Sequence, residues 1–190
     1  MKGIYSKTIE WYDKNAEFYE KNSSVLLYRQ LKYFTSLIKK GGRILDIGSG
    51  TGKDVNYFNN QGFKAIGIDA SKKMINIAQK KYGNHYQLGN IIRFKYNQEF
   101  HGIWASSILT HIKNEDILKL IGKIKKSLYP GGALAIIVPY KSPGRPKRRK
   151  VIFNEFSMLK AKKIVYTLKI NKIQVFTKHK RQWIYLVATK

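Results

Sequence analysis

A short apolar segment that ends in three alternating glycines constrains this chain more than any other feature. Residues 43–47 form a short, mostly apolar run, as a buried parallel β-strand should. Gly48, Gly50 and Gly52 follow at every second position, and glycine adopts backbone angles that other residues avoid. Because glycine has no Cβ, a ligand can approach the main chain closely at such a turn. The pattern predicts a strand, a tight turn that forms the floor of a ligand site, and then a helix over residues 54–60.

An acidic residue at the end of the next predicted strand indicates the kind of ligand. Asp69 follows Gly52 by seventeen positions and ends a second predicted strand, residues 64–69. The carboxyl ends of neighbouring parallel strands lie side by side, so this carboxylate can accept hydrogen bonds from both hydroxyls of a ribose. The pattern therefore favours a ligand that contains a nucleoside. The alternative is that the glycines serve only a tight turn between strand and helix.

The spacing departs from two other glycine-rich motifs that bind nucleotides. A dinucleotide fingerprint requires a glycine three positions after its second glycine, and Lys53 occupies that position after Gly50. A P-loop requires four residues between its first glycine and a Gly-Lys pair, followed by Ser or Thr. Gly48 is one residue too close, and Asp54 follows the lysine. Both motifs fit poorly.

Strand and helix patterns alternate along the rest of the chain. Helices are predicted over residues 6–19, 25–39 and 114–128 and around residues 161–168. A further helix is predicted to begin after Ser71, which is its N-cap. Strands are predicted at 85–88, 102–107, 133–138, 172–177 and 182–189, with a sharp turn at 130–132. This alternation predicts an α/β fold, a doubly wound parallel sheet with helices on both faces. A length of 190 residues fits a single domain, 1–190.

The charge of the chain is strongly positive and uneven. Thirty-seven Lys and Arg oppose eleven Asp and Glu, a net charge of +26, and residues 141–190 hold fifteen cations against Glu155 alone. Such a surface attracts polyanions such as RNA. Residues 141–150 combine six cations with two prolines and are predicted to form an exposed, flexible loop that either borders an acceptor pocket or is an inert connection. The alternative explanation for the charge is a compositional bias towards lysine.

Composition also excludes several classes of site. The absence of cysteine removes disulfides, thiolate zinc sites and a cysteine nucleophile, and four scattered histidines do not suggest a metal site. Neither a signal peptide nor an apolar run long enough to span a membrane is evident. We therefore expect a cytoplasmic protein without a metal.

Five segments spread along the chain resemble the sequence motifs of one protein family. They are residues 12–19 (Tyr-Asp-Lys-Asn-Ala-Glu-Phe-Tyr), 46–52 (Asp-Ile-Gly-Ser-Gly-Thr-Gly), 67–71 with Met74 and Ala78, 100–104 with 109–112, and 128–132 (Leu-Tyr-Pro-Gly-Gly). In these segments the chain resembles the class I S-adenosylmethionine-dependent methyltransferases. The resemblance implies a Rossmann-like sheet of seven strands, mostly parallel with an antiparallel last strand. It also implies S-adenosylmethionine as the cofactor.

The resemblance implies roles for individual residues around that cofactor. Residues 1–40 would form a helical lid carrying Tyr12 and Tyr19, Asp69 would bind the ribose, and Asn90 with Ile91 would bind the adenine. Asp46, Gly48 and Gly50 would place the methionine end. Further candidate contacts are Ser49, Gly52, Ala70, Met74 and Ser106.

Two positions depart from the family pattern, and one motif is missing. Asn90 stands where an aspartate is common, but an amide oxygen can still accept from the adenine amine. His101 stands where an acid often begins the fourth strand, a position that is usually structural. Residues 104–108 read Trp-Ala-Ser-Ser-Ile in place of the Asn/Asp-Pro-Pro-aromatic motif of enzymes that methylate DNA amines, so that activity is disfavoured.

His111 is the candidate general base, because imidazole exchanges protons near neutral pH. The alternative is that His111 only orients the loop after the fourth strand. Three hypotheses for function remain: methylation of a small molecule, methylation of RNA such as transfer RNA, and binding without catalysis. Under the second hypothesis the phosphate contacts would be Arg145, Lys147, Arg148, Arg149 and Lys150.

Overall fold

The computed structural model describes residues 4–22, 26–95, 99–140 and 153–190. Six helices occur in these ranges: α1 Ile4–Asn22, α2 Tyr28–Ser36, α3 Lys53–Asn60, α4 Lys72–Tyr82, α5 Asn114–Lys126 and α6 Met158–Ile164. Seven strands occur in them: β1 Arg43–Ile47, β2 Lys64–Asp69, β3 Tyr86–Leu88, β4 Phe100–Ser106, β5 Leu128–Pro139, β6 Lys169–Lys178 and β7 Arg181–Thr189. A 3-10 helix, Ile108–His111, follows β4. None of the described helices is long and apolar enough to cross a bilayer.

The described strands form one sheet in the order β3-β2-β1-β4-β5-β7-β6. All neighbouring pairs are parallel except those of β7, which is antiparallel to both β5 and β6. This arrangement confirms the predicted mixed α/β sheet with its antiparallel last strand. The strand order reverses between β1 and β4, and open α/β sheets bind ligands at the carboxyl edge beside such a reversal.

Helices cover both faces of the sheet, which explains why the central strands are apolar without interruption. Leu45 and Ile47 of β1 belong to the cluster that packs against α5, whereas Ile44 packs with Phe34 of α2 and Phe58 of α3. Each of these side chains is fully buried. Burial on both faces is typical of parallel strands and holds their carboxyl ends in fixed positions.

Two predicted helices are shorter than their apolar patterns. The described part of the second helix begins at Tyr28 and ends at Ser36, where the hydroxyls of Thr35 and Ser36 donate to the carbonyls of Lys32 and Tyr33. These local bonds compete with continuation of the helix. Helix α6 ends at Ile164, and Val165 and Leu168 are buried beyond it without being helical.

The predicted turn at residues 130–132 is wrong, because these residues lie within β5 as a bulge. Leu128 pairs with Phe100, and Ala133 pairs with Gly102, so residues 129–132 lie opposite His101 alone. Gly131 adopts a φ of 76°, and its N–H donates to the carbonyl of Lys190. The carbonyl of Lys190 therefore accepts a hydrogen bond from a backbone N–H that the bulge takes out of the β4–β5 pairing.

His101 is structural here, since its Nδ1 accepts from the backbone N–H of Arg43 at 3.0 Å.

Candidate functional site

The glycine-rich loop uses each glycine for a different reason. Gly48, Gly50 and Gly52 all have positive φ, at 78°, 53° and 89°. A Cβ on Gly48 would lie 2.7 Å from Ile108, whereas a Cβ on Gly50 would meet nothing within 4 Å. Gly48 therefore allows the loop to approach the 3-10 helix, and Gly50 faces open space that a ligand can occupy.

Gly52 lines neither of the two cavities described below, although its neighbours Thr51 and Lys53 line the second one. A Cβ at this position would lie 2.7 Å from the ring of Tyr86, and the Tyr86 hydroxyl donates to the Gly52 carbonyl at 2.9 Å. Gly52 also caps α3 in the left-handed conformation. Its place therefore indicates a packing role rather than the predicted cofactor contact.

Asp69 joins the glycine-rich loop to the end of β2. Its Oδ2 accepts from the N–H of Gly50 at 2.9 Å, and its Oδ1 accepts from the N–H of Ser71 at 2.8 Å. Burial raises the pKa of the Asp69 carboxyl, and these backbone hydrogen bonds oppose that shift. A carboxylate can accept further hydrogen bonds in this geometry, so ribose hydroxyls would complete its coordination.

A main cavity lies above these residues, between the sheet edge and α1. It brings together eleven of the predicted site residues: Tyr12, Tyr19, Gly48, Gly50, Asp69, Ala70, Met74, Asn90, Ile91, Ser106 and His111. Eight further residues line it that were not among the predicted site residues: Tyr5, Thr8, Ile9, Ser71, Ile92, Ser107, Ile108 and Ile112. Most of the additional residues come from α1, from the 3-10 helix and from the two residues that flank the 3-10 helix, where nothing in the local sequence distinguishes a cavity wall from a packed face.

Asn90 has a structural bond in addition to its predicted role. Its Oδ1 accepts from the N–H of Ile92 at 2.9 Å, which fixes the turn after β3 and places Ile91 and Ile92 against the cavity. An amide oxygen has two lone pairs, so this bond leaves capacity to accept from an adenine amine.

A second, more polar cavity adjoins the main one. The remaining predicted residues, Asp46 and Ser49, line it. The two cavities share Tyr19, Gly48, Gly50, Ser106 and Ser107. The sequence analysis did not place the other lining residues in the site: Leu27, Thr51, Lys53, Asp54 and Lys178.

Two buried carboxyl groups dominate this second cavity. Burial raises the pKa of Asp46 well above its ordinary value, and the nearby Asp54 and Asp69 raise it further. Burial also raises the pKa of Asp54, whose Oδ2 accepts from the indole N–H of Trp104 at 2.8 Å. The buried hydroxyl of Ser49 makes no hydrogen bond within the described part of the chain. A ligand with a positive charge and hydrogen-bonding groups would satisfy this cavity.

Replacing Asp46 with asparagine is expected to stabilise the ligand-free protein at neutral pH. The folded pKa of Asp46 lies above its unfolded value of 3.8, so its contribution to stability falls as pH rises from that value through the folded pKa. An amide removes this penalty, because it carries no charge at either pH. Denaturant unfolding of the wild type and of Asp46→Asn at pH 6 and pH 8 would measure the difference in stability. Glu99→Gln, at an exposed position, is the neutral control. A variant less stable than the wild type at pH 8 would contradict the argument.

Helix α1 is held over the site by side-chain contacts along its length. The Tyr12 hydroxyl lies 2.8 Å from His111 Nε2, and Asp13 accepts from the Ser71 hydroxyl at 2.6 Å. Towards the end of the helix, Glu20 pairs with Lys53 and Lys81. These bonds connect α1 to the 3-10 helix, to the start of α4 and to the start of α3.

His111 is held between two aromatic rings beside the main cavity. Its side chain is only 7% exposed, and its ring packs edge-on against Tyr12 and Phe153, with centroids 5.3 and 6.0 Å away. The Asn154 N–H donates to the Thr110 carbonyl, which fixes the segment carrying Phe153. The histidine therefore borders the main cavity and also holds α1 through Tyr12.

The predicted basic loop, residues 141–150, lies outside the described residues, and so do the candidate RNA contacts Arg145, Lys147, Arg148, Arg149 and Lys150. Within the described ranges, His, Asp and Glu side chains form no group of three that could hold a metal ion.

The residues that line the two cavities fit the predicted cofactor, S-adenosylmethionine. Asp69 offers carboxylate oxygens for the ribose, and Met74 and Ile91 offer apolar surface for the adenine. The acidic second cavity suits a positively charged amino-acid end, and Gly50 leaves space for the ligand to lie against the loop.

The chain matches a known protein family and several curated proteins. A protein family described as "Methyltransferase domain" matches residues 18–181. The chain is 35% identical over 105 residues to an O-methyltransferase, resE, of Aspergillus sclerotiorum, a match that covers 50% of the chain and 39% of that protein. It is 29% identical over 174 residues to an uncharacterized protein of Methanocaldococcus jannaschii, covering 87% and 78%. The chain spans less than half the length of the first three curated relatives it matches, at 39%, 46% and 46%.

Solved structures share the fold at low sequence identity. A 1,6-didemethyltoxoflavin-N1-methyltransferase from Burkholderia thailandensis superposes with a TM-score of 0.80 and 17% identity, covering 98% of this chain and 87% of that one. A magnesium protoporphyrin IX methyltransferase from Synechocystis superposes with a TM-score of 0.77 and 14% identity, covering 100% and 98%. The family match extends over most of the chain and confirms the resemblance drawn from the sequence, so the chain belongs to the methyltransferase domain family.

Proposed function

We propose that this protein is an S-adenosylmethionine-dependent methyltransferase that acts on a small molecule. The observation that carries the proposal is the pairing of Asp69 with Gly50, which places a ribose acceptor beside the open space of the loop. The main cavity extends from that point to Tyr12 and His111, so donor and acceptor could lie in one continuous space.

The protein's part in this reaction is to bind, orient and exclude water. S-Adenosylmethionine supplies a methyl group that its sulfonium already activates. Holding the acceptor in line with that group is then the main requirement. Asp69 and Gly50 would fix the nucleoside, and α1 would act as a lid that closes the cavity from solvent.

The walls of the cavity support a small acceptor. Beyond the cofactor residues, the lining is mainly aromatic and aliphatic and is contributed by Tyr5, Ile9, Ile108 and Ile112. The Tyr5 hydroxyl donates to Asp116 and accepts from the Lys113 N–H, so that end of the lid is anchored as well. An enclosed apolar space under a helix suits a compact molecule better than a polymer. The similarity to proteins named as an O-methyltransferase and as a phosphoethanolamine N-methyltransferase supports this class of acceptor.

A labelled-methyl assay tests the proposal. The purified protein would be incubated with radiolabelled S-adenosylmethionine and, separately, with total RNA and a small-metabolite extract from a strain that lacks the gene. We expect label in the small-metabolite fraction, and none with the Asp69→Ala variant. Label in RNA would overturn the proposed acceptor class and favour the basic region as a docking surface. Label in neither fraction, despite cofactor binding, would favour a protein acceptor or a binding protein without catalysis.

We propose that His111 acts mainly by holding α1 through Tyr12, not as a general base. His111→Gln keeps a side chain that can bond to the Tyr12 hydroxyl but cannot take a proton at neutral pH, so turnover should fall by less than about tenfold. Tyr12→Phe should weaken turnover to a similar extent, and the pH profile should keep its wild-type shape in both variants. The rate and pH profile would be measured with the acceptor fraction found above. A loss of roughly 100-fold or more in His111→Gln alone, with a flattened pH profile, would identify a general base.

A further inference from the structure

The hairpin formed by β6 and β7 reaches back over α2 towards the start of α3. Tyr185 of β7 donates from its hydroxyl to the Gln30 carbonyl at 2.8 Å, and the Lys172 ammonium lies 4.3 Å from the centre of the Tyr33 ring. Phe176 and Trp183 pack against the same apolar cluster as Phe58. The hairpin is therefore fixed in place, although β6 is the outermost strand of the sheet.

Because the hairpin packs in this way, Lys178 lies at the second cavity. Lys178 is the last residue of β6, and it lines the cavity together with Asp46 and Asp54. Burial lowers the pKa of the Lys178 ammonium, and the neighbouring Asp54 carboxylate opposes that shift. A cation and two carboxyl groups thus line one cavity beside the glycine-rich loop.

The polar groups of the second cavity match a zwitterionic α-amino acid. Such a group carries an ammonium and a carboxylate two bonds apart, and buried charges need partners of opposite sign. Asp46 and Asp54 can pair with an ammonium, and Lys178 can pair with a carboxylate. The buried Ser49 hydroxyl, which has no hydrogen-bond partner among the described residues, adds a donor and acceptor at the same place. The other lysine of the cavity, Lys53, donates to the Glu20 carbonyl and forms an ion pair with the Glu20 carboxylate, so it also holds α1.

We propose that Lys178 binds the carboxylate of the amino-acid end of S-adenosylmethionine, so that the β6–β7 hairpin forms part of the cofactor site. This inference rests on the proposed function. It assigns the nucleoside to the main cavity and the amino-acid end to the second cavity, with the shared residues Gly48, Gly50 and Ser106 between them. Asp54 lines the same cavity, and its carboxylate favours the charged form of the Lys178 ammonium.

Binding measurements with three probes isolate the carboxylate. Calorimetry would compare S-adenosylmethionine, decarboxylated S-adenosylmethionine and 5′-methylthioadenosine, which lacks the amino-acid end. The wild type should bind the first probe roughly 10–100-fold more tightly than the second, as expected for a charged hydrogen bond. In Lys178→Met this ratio should fall towards one, while 5′-methylthioadenosine should bind as it does to the wild type. Lys178→Arg should recover part of the ratio.

Exposed Lys169 lies on the same strand, so Lys169→Met is the matched control and should keep the wild-type ratio. A Lys178→Met protein that keeps the wild-type ratio would overturn the inference and leave the proposed function intact. If Lys178→Met weakens the binding of all three probes equally, the inference is also overturned, because Lys178 would then act through the fold. A wild type that binds none of the probes would refute the proposed function itself, and the inference with it.

Discussion

Replacing Asp69 with alanine is expected to abolish measurable binding of S-adenosylmethionine. The variant loses the carboxylate predicted to bind both ribose hydroxyls, and hydrogen bonds to charged groups contribute about 1.5–3 kcal/mol each. Two such bonds correspond to a loss of at least roughly 100-fold in affinity. The same change leaves the N–H groups of Gly50 and Ser71 without their acceptor, so the loop also loses its connection to β2.

Asp69→Asn separates the two effects of that change. Asparagine keeps the size and one acceptor oxygen, so it can retain one of the two backbone bonds but not the charge. We expect calorimetry to show weak binding for this variant and near wild-type thermal stability. Ser157→Ala is a suitable control for stability, because it removes the N-cap bond of α6 and should cost about 1 kcal/mol without touching either cavity. Unchanged affinity in Asp69→Ala would refute the placement of the ribose.

Replacing Gly50 with alanine is the second change with a large expected effect. A Cβ at Gly50 would meet no protein atom within 4 Å, so the new methyl group would project into the space left for the ligand. The positive φ of 53° adds backbone strain of roughly 1–2 kcal/mol. We expect the variant to fold and to bind S-adenosylmethionine at least about tenfold more weakly.

Gly41 provides a matched control for this strain. It has a φ of 70°, and a Cβ there would also meet nothing within 4 Å, but Gly41 lies at the amino end of β1, away from both cavities. Gly41→Ala should lose similar stability in thermal unfolding and keep full affinity. If both variants lose affinity equally, or if Gly50→Ala binds normally, the ligand does not lie against the loop at Gly50.

The expected effects of these changes rest on features that are visible in the sequence. The loop glycines, the terminal Asp69 and the alternation of strands and helices are local patterns, and β1 and β2 have the predicted bounds. The N-cap role of Ser71 was predictable for the same reason, because a capping side chain bonds only three residues ahead. Errors of prediction fell where a neighbouring strand decides the conformation, as in the bulge at residues 129–132.

The sequence by itself determined the fold class, the glycine-rich loop and the carboxylate beside it, because each depends on residues close together in the chain. Only the tertiary structure decided the second cavity and the fastening of the lid. Lys178 and Asp54 line one cavity, and the Tyr12 hydroxyl bonds to His111, although the members of each pair are about a hundred or more positions apart in the chain. One lysine among many carries no local mark of such a contact. Packing of the hairpin against α2, and of α1 against the sheet edge, creates these pairs when the chain folds.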